Sequence, residues 1–158
     1  MAATQLPYAS NLPAWIVPFQ EELLQNTRVL NLQNRSARRQ GLTAPLLLRL
    51  ARHLNLRLSI EDSYLLEGAS PLFVVAANHA DISRDFSQLA AELIALEQWT
   101  DSNTNTLYGA VSFGNLWQFA VLSRDTKHIT QDLGQYRSPE DITDIFQILL
   151  GILNGNQA

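Results

Sequence analysis

The most concentrated charged side chains are three arginines within five residues, Arg35, Arg38 and Arg39. A guanidinium group presents planar N–H donors, which bind a carboxylate or a phosphate through paired hydrogen bonds. No acidic residue lies near these arginines in the sequence. The segment is therefore either a recognition surface for an anionic partner or a solvated charged turn. Both interpretations predict exposed side chains.

His79 and Asp81 are the only histidine and carboxylate with suggestive spacing, and such a pair can act in acid–base chemistry or bind a metal. We favour a loop and helix-cap interpretation, because short polar side chains commonly bond to the backbone just past a strand. The other histidines, His53 and His128, lack helical ligand spacing, and the chain has no cysteine. Neither a zinc site nor a disulfide is expected.

Four aromatic side chains could stack on nucleic-acid bases, namely those of Trp99, Phe113, Trp117 and Phe119. Trp117 and Phe119 alternate with Gln118, which is typical of a strand with one face directed inward. We therefore predict that these two rings belong to the core.

Composition indicates one globular domain over residues 1–158, since 46% of the residues are hydrophobic and 16% are charged. Residues 1–13 have no periodicity and are expected to form a loosely ordered arm. There is no apolar run long enough to span a bilayer and no signal-peptide pattern, so a cytoplasmic location is expected.

The net charge of −4 is unevenly distributed along the chain. Residues 1–60 carry a net charge of +5, and residues 61–158 carry −9. The acidic total argues against indiscriminate binding to nucleic acid. The basic part either pairs internally with the acidic part or forms a contact face.

Helical and strand periods predict the elements that position these residues. Two helices come first, one over Trp15–Leu23 and one capped by Thr43, with Gly41 as a helix stop or turn. Strands are expected at Leu56–Ile60, at Tyr64–Leu66 and at Leu72–Ala77, the last of them central and buried on both faces.

The second half of the chain predicts a helix over Phe86–Trp99, a hairpin turning at Gly114-Asn115, a further strand from His128 and a final helix capped by Ser138. The order indicates an α/β fold with a mixed β-sheet flanked by helices. Eight residues are predicted to share one core: Val74, Val75, Leu89, Leu93, Trp117, Phe119, Ile145 and Leu149.

Several stretches carry a family resemblance: Leu72–Ile82 followed by Gln88, Ala91, Glu92 and Ala95; Leu107–Phe119; and Ile142–Leu153. In order and spacing they resemble small bacterial proteins of the PD-(D/E)XK, or restriction-endonuclease-like, superfamily that are abundant in photosynthetic bacteria. The resemblance covers over half of the chain and implies a restriction-endonuclease-like core. In active members two acids hold a divalent metal, and a lysine positions the attacking water.

The positions that match the second acid and the lysine are Ala76 and Asn78, which can do neither task. The strand that should carry the first acid is shortened between Glu67 and Leu72. A site that migrated to Asp62 or Glu67, together with Asp81, Asp85 or Glu92, is the alternative.

We therefore expect a catalytically inactive homologue without cofactor or metal, which acts as a protein-binding assembly or regulatory factor. Arg35, Arg38 and Arg39 are its expected partner-binding residues. The alternative is a nucleic-acid-associated module or an inactive subunit of a restriction-type nuclease.

Overall fold

The described strands form one open β-sheet, and the helices pack on it. The computed structural model describes residues 6–60, 63–68, 71–76, 82–99, 105–132 and 134–154. Its strands are β1 (Arg57–Ile60), β2 (Ser63–Glu67), β3 (Leu72–Ala76), β4 (Thr106–Ser112), β5 (Leu116–Ser123), β6 (His128–Gln131) and β7 (Tyr136–Arg137). They lie in the order β1-β2-β3-β4-β5-β6, with β7 also paired to β5. Among the strands of the described residues, only β3 and β4 pair in parallel. The predicted α/β fold with a mixed sheet is confirmed.

Helices cover both faces of this sheet. They are α1 (Ile16–Val29), α2 (Arg35–Arg38), a π-helical segment (Arg39–Thr43), α3 (Ala44–Leu54), α4 (Ile82–Trp99) and α5 (Ile142–Leu153). Helix α4 connects β3 to β4 and packs against both strands. Helices α1, α3 and α5 pack on the opposite face. In the described part of the chain, no helix has the length and apolar character that crossing a membrane would require.

The hydrophobic core has two parts, one on each face of the sheet. All eight predicted core residues are buried. Five of them face α1, α3 and α5, namely Val74, Trp117, Phe119, Ile145 and Leu149, and three face α4, namely Val75, Leu89 and Leu93. Successive strand residues point to opposite faces, so Val74 and Val75 contribute to different clusters. The prediction of one shared core was wrong, and the prediction of a central strand buried on both faces is confirmed for the residues described.

The helix around Gly41 begins earlier than the sequence indicates. Asn34 is the N-cap, and its side chain accepts a hydrogen bond from the backbone N–H of Ala37. Gly41 is buried, and a Cβ there would lie 2.0 Å from Leu30 Cδ1. Its role is close approach to the end of α1, so the prediction of a helix stop was wrong. Thr43 has helical backbone angles and makes no capping bond, so that prediction was wrong as well.

The final helix begins later than expected. Residues 138–141 form a turn, and α5 starts at Ile142 with Asp141 as its N-cap. Ser138 does not cap it, because its backbone N–H donates to the carbonyl of Asn115 at 3.1 Å and its side chain is buried. Ser138 thus extends the pairing of β7 with the hairpin instead of opening a helix.

The N-terminal arm is docked on α5, which corrects the expectation of loose order for the described residues 6–13. The Ala9 N–H donates to the Gln147 carbonyl at 3.0 Å, and Gln147 Nε2 donates to the Ser10 carbonyl at 3.2 Å. A Cβ at Gly151 would lie 2.7 Å from the backbone nitrogen of Tyr8. The missing side chain at Gly151 therefore leaves the space that the arm occupies.

Candidate functional site at the arginine turn

Arg35, Arg38 and Arg39 lie on α2 and at the start of the π-helical segment, and we call these three residues the arginine turn. All three are half-buried, so the prediction that they are exposed was wrong. For Arg38 the burial has a local cause, because its side chain bonds to the loop that precedes α2. Arg38 Nη1 donates to the Leu32 carbonyl at 2.6 Å.

Arg39 is fixed against β2. Its Nε donates to the hydroxyl of Tyr64 at 2.7 Å, and its guanidinium carbon lies 4.9 Å from the centre of the Tyr64 ring. The Tyr64 ring itself is 1% exposed. A cation over an aromatic face is favourable by about 0.5–2 kcal/mol. Arg39 is therefore held in one orientation at the end of the sheet.

The β4–β5 turn packs directly against Arg38. Gly114 has a φ of 89°, the left-handed region that favours glycine. A Cβ there would lie 2.8 Å from Arg38 Cβ and 3.0 Å from the Arg38 carbonyl oxygen. The predicted hairpin turn is confirmed, and it forms one continuous surface with the arginine turn.

A buried pair of hydroxyls joins the π-helical segment to β4. Thr43 Oγ1 and Ser112 Oγ are 3.0 Å apart, and Ser112 Oγ also accepts from the Gly114 N–H at 3.0 Å. Thr43 is 1% exposed and Ser112 is 2% exposed. Solvent and substrate cannot reach them, so these hydroxyls fix the position of the arginine turn and are not nucleophiles.

We expect the substitutions Thr43→Val and Ser112→Ala each to lower the free energy of unfolding by about 1–3 kcal/mol, because each leaves a buried polar group without its partner. Ser112→Ala should cost more, since it also removes the acceptor of the Gly114 N–H. The double variant should lose about 1 kcal/mol less than the sum of the single losses. Urea denaturation of all three variants measures this coupling, and strictly additive losses would contradict it.

The site lies beside the position that matches the second acid of the nuclease pattern. In the parallel β3–β4 pair, Ala76 is directly opposite Ser112. The carboxyl ends of parallel strands are where α/β proteins usually bind ligands. Here the residues at that end of the two strands are an alanine and a serine, and the serine hydroxyl is buried. Asn78 lies outside the described residues.

The carboxylates of the alternative, migrated site are only partly described. Glu67 is exposed and pairs with Arg57 at the opposite end of β2. The β2–β3 register places it about 16 Å along the strands from Ala76. Glu67 therefore lies far from the strand ends at Ala76 and Ser112. Glu92 is half-buried on α4 and Asp85 lies in the first turn of that helix, whereas Asp62 and Asp81 lie outside the described residues, as does His79.

The aromatic residues considered for base stacking differ in how deeply they are buried. Trp117 and Phe119 are fully buried, which confirms that they belong to the core. Their rings stack with centres 6.3 Å apart. Phe113 is half-buried beside the α4 cluster, and nothing is described of the Trp99 side chain. Gln88, the glutamine of the family resemblance, is exposed on α4.

A cluster of phenols and carboxylates surrounds the docked arm, and sequence spacing did not reveal it. The Tyr8 hydroxyl donates to Asp144 Oδ1 at 3.3 Å and also to Gln147 Oε1. Desolvation, the charge of Asp144 and the hydrogen bond to it raise the pKa of Tyr8. Desolvation, followed by the charges of Asp132 and Asp144, raises the pKa of Tyr136. Both phenols therefore stay protonated at neutral pH, and the Tyr8 hydroxyl acts as the donor that ties the arm to α5.

A second arginine site also escaped the sequence analysis. The guanidinium carbon of Arg49 on α3 lies 4.9 Å from the centre of the Trp15 ring and 5.5 Å from that of Phe19. Trp15 and Phe19 are four residues apart and were interpreted only as an apolar helix face. The spacing could not reveal Arg49, because its contact with them depends on how α3 crosses α1.

No family model, curated protein or solved structure matches the chain. The fold itself defines an open, mixed α/β sheet with helices on both faces. Within the residues that the structure describes, no group of three or more histidine, aspartate or glutamate side chains is arranged to hold a metal ion.

Proposed function

We propose that the chain is a non-catalytic interaction protein, an assembly or regulatory factor on a restriction-endonuclease-like scaffold that has lost its metal site. The observation that carries this proposal is the pairing of Ala76 with Ser112 at the carboxyl end of the parallel strands. A nuclease of this type needs a carboxylate at the Ala76 position to bind its metal. An alanine beside a serine that is already hydrogen-bonded internally offers no such ligand.

The succession of elements supports the nuclease-like scaffold. The resemblance implies a buried strand, a helix, a hairpin with a glycine turn before a Trp-x-Phe strand, and a final helix. The chain has β3, α4, the hairpin at Gly114 and α5 in that order, with Trp117 and Phe119 on β5. A fold can be retained while its chemistry is lost, so the scaffold remains compatible with a binding role.

The anchoring of the arginine turn supports a role in recognition. Arg38 uses one of its N–H groups to bind Leu32 and packs against Gly114. Ordering a long side chain at an interface costs about 0.5–1.5 kcal/mol, and a side chain that is already held avoids most of that cost. Arginine is also among the residues that most often dominate binding energy in protein interfaces.

Charge favours a protein partner over a nucleic acid. The chain has a net charge of −4, and residues 61–158 carry −9, which repels a polyphosphate backbone. Burial of Trp117 and Phe119 also removes two of the four rings considered for stacking on bases. The alternative, a nucleic-acid-associated module or inactive nuclease subunit, is favoured only by the arginine turn.

The double variant Arg35→Gln/Arg38→Gln tests the proposed contact. We expect it to weaken binding to the partner at least tenfold, because two guanidinium groups that recognise carboxylates are lost. The partner is first identified by affinity purification of the wild-type protein from its native cells, and the dissociation constants are then measured with purified proteins. The matched control is Arg28→Gln/Arg57→Gln, which makes the same change in charge at two exposed arginines.

The control variant should bind like the wild type. If the arginine-turn variant binds equally well, these residues are not the contact. If the partner is a nucleic acid, affinity should fall steeply with salt through release of counterions, and the alternative function replaces the proposed one.

A further inference from the structure

Arg49 is held by aromatic rings and not by any carboxylate that the structure describes. Its guanidinium lies against Trp15 and Phe19 at the crossing of α1 and α3. Its Nε is buried and has no hydrogen-bond partner. Among the described residues, no carboxylate forms an ion pair with it. This arrangement lies about 15 Å along the helix from the arginine turn and is independent of the function proposed there.

A half-buried cation without a counter-ion is costly. Contacts with aromatic rings return only a small part of the hydration free energy that a guanidinium loses on burial. A buried N–H without a partner adds to that cost, because its bond to water is lost and not replaced. If Arg49 served only to fill space, a leucine or methionine would stabilise the fold more, since neither carries a charge that must be desolvated. The site is therefore electrostatically incomplete.

Two further basic residues, Arg52 and His53, lie on α3 within four residues of Arg49. His53 is one turn further along α3 and contacts the edge of the Trp15 ring, with centres 5.5 Å apart. Arg52 lies in the same turn as His53, and both are exposed. Cations in the last turn of a helix compensate its exposed carbonyl groups. Arg49 lies before that turn, so this compensation does not account for it.

We propose that Trp15, Arg49, Arg52 and His53 form a binding site for an oxyanion, either a carboxylate or a phosphate. The guanidinium of Arg49 binds the anion through its two Nη groups, because its Nε is buried, and the Trp15 and Phe19 rings hold it in that orientation. Arg52 and His53 supply further donors at the solvent side. A planar guanidinium gives paired hydrogen bonds to either anion, which a lysine ammonium cannot do.

The test is a titration followed at the Nε–Hε resonance of Arg49 in nitrogen-15-labelled full-length protein. This resonance is assigned as the one lost in Arg49→Lys. Inorganic phosphate and succinate are added separately at constant ionic strength, with sodium chloride as the reference. We expect a saturable shift with a dissociation constant on the order of 1 mM for at least one anion. The anion that gives the shift identifies whether the site takes a phosphate or a carboxylate.

Arg49→Lys keeps the charge and removes the paired donors, so it should bind at least tenfold more weakly. Its binding is compared with that of the wild type by the rise of the melting temperature with the anion, since the variant lacks the Arg49 resonance. Arg28→Lys, the same change at an exposed arginine of α1, should bind like the wild type. Should Arg49→Lys fail to fold, the wild-type titration and the rise of the melting temperature with the anion still decide the matter. A shift that chloride alone reproduces, the absence of saturation, or unchanged binding by Arg49→Lys would overturn the proposal.

Discussion

Trp117→Ala is expected to lower the free energy of unfolding by about 3–5 kcal/mol and to abolish soluble expression. Trp117 is fully buried on β5, between β4 and β7, and its ring stacks on Phe119. Truncation removes a large apolar surface from the core and leaves a cavity that a sheet with fixed pairing cannot close. Expression yield and urea denaturation measure the effect.

Trp117→Phe is the matched control, because it keeps an aromatic ring and removes an indole N–H that has no hydrogen-bond partner. Removing the unpartnered N–H is favourable and offsets part of the free-energy cost of the cavity, which is also smaller than in Trp117→Ala. We therefore expect Trp117→Phe to lower the free energy of unfolding by about 1–2 kcal/mol. A melting temperature of Trp117→Ala equal to that of the wild type would contradict the assignment of this residue to the core.

The second large effect is the absence of nuclease activity. Neither DNA nor RNA should be cleaved in the presence of Mg²⁺ or Mn²⁺, because Ala76 offers no metal ligand and Asn78 carries no positive charge. Loss of such groups removes at least about 4 kcal/mol of transition-state stabilisation, roughly a thousandfold in rate. Incubation of purified protein with supercoiled plasmid and with RNA, with and without EDTA, provides the measurement.

The double substitution Ala76→Glu/Asn78→Lys is a stricter version of this experiment. Under the proposed function it should not restore cleavage, because the resemblance implies a first acid that the short stretch between Glu67 and Leu72 does not supply. Wild-type cleavage that EDTA and Asp62→Ala both abolish would show that the acids have migrated and that the proposed function is wrong. Glu67→Ala is the control for that result, since Glu67 lies at the far end of β2.

Elements with a strong local period could be predicted from the sequence. The Leu89 and Leu93 spacing gave α4, and the glycine turn at Gly114 gave the β4–β5 hairpin. The division of the core could not be predicted, because a continuous apolar run such as Leu72–Ala76 does not show which side chains face which layer. Only the placement of helices on both faces of the sheet separates Val74 from Val75.

The sequence predicted which residues form the candidate site, but it did not predict how these residues are buried or what they contact. Sequence alone identified Arg35, Arg38 and Arg39 as a unit, because three cations in one short segment are visible without a structure. Their burial depends on a carbonyl and on the ring of Tyr64, which lies 25 residues from Arg39 in the sequence. The contact between Arg39 and Tyr64 is tertiary, and no local sequence pattern encodes it.

The single parallel strand pair has a consequence for the order of folding. The β4–β5 and β5–β6 pairs join neighbours in the chain, so they close short loops and can form early. Pairing β3 with β4 requires α4 and its connections to be in place, which closes a much longer loop at a higher entropic cost. The strand ends at Ala76 and Ser112 are therefore expected to come together late, after the C-terminal strands have paired and β4 is in place for β3 to join.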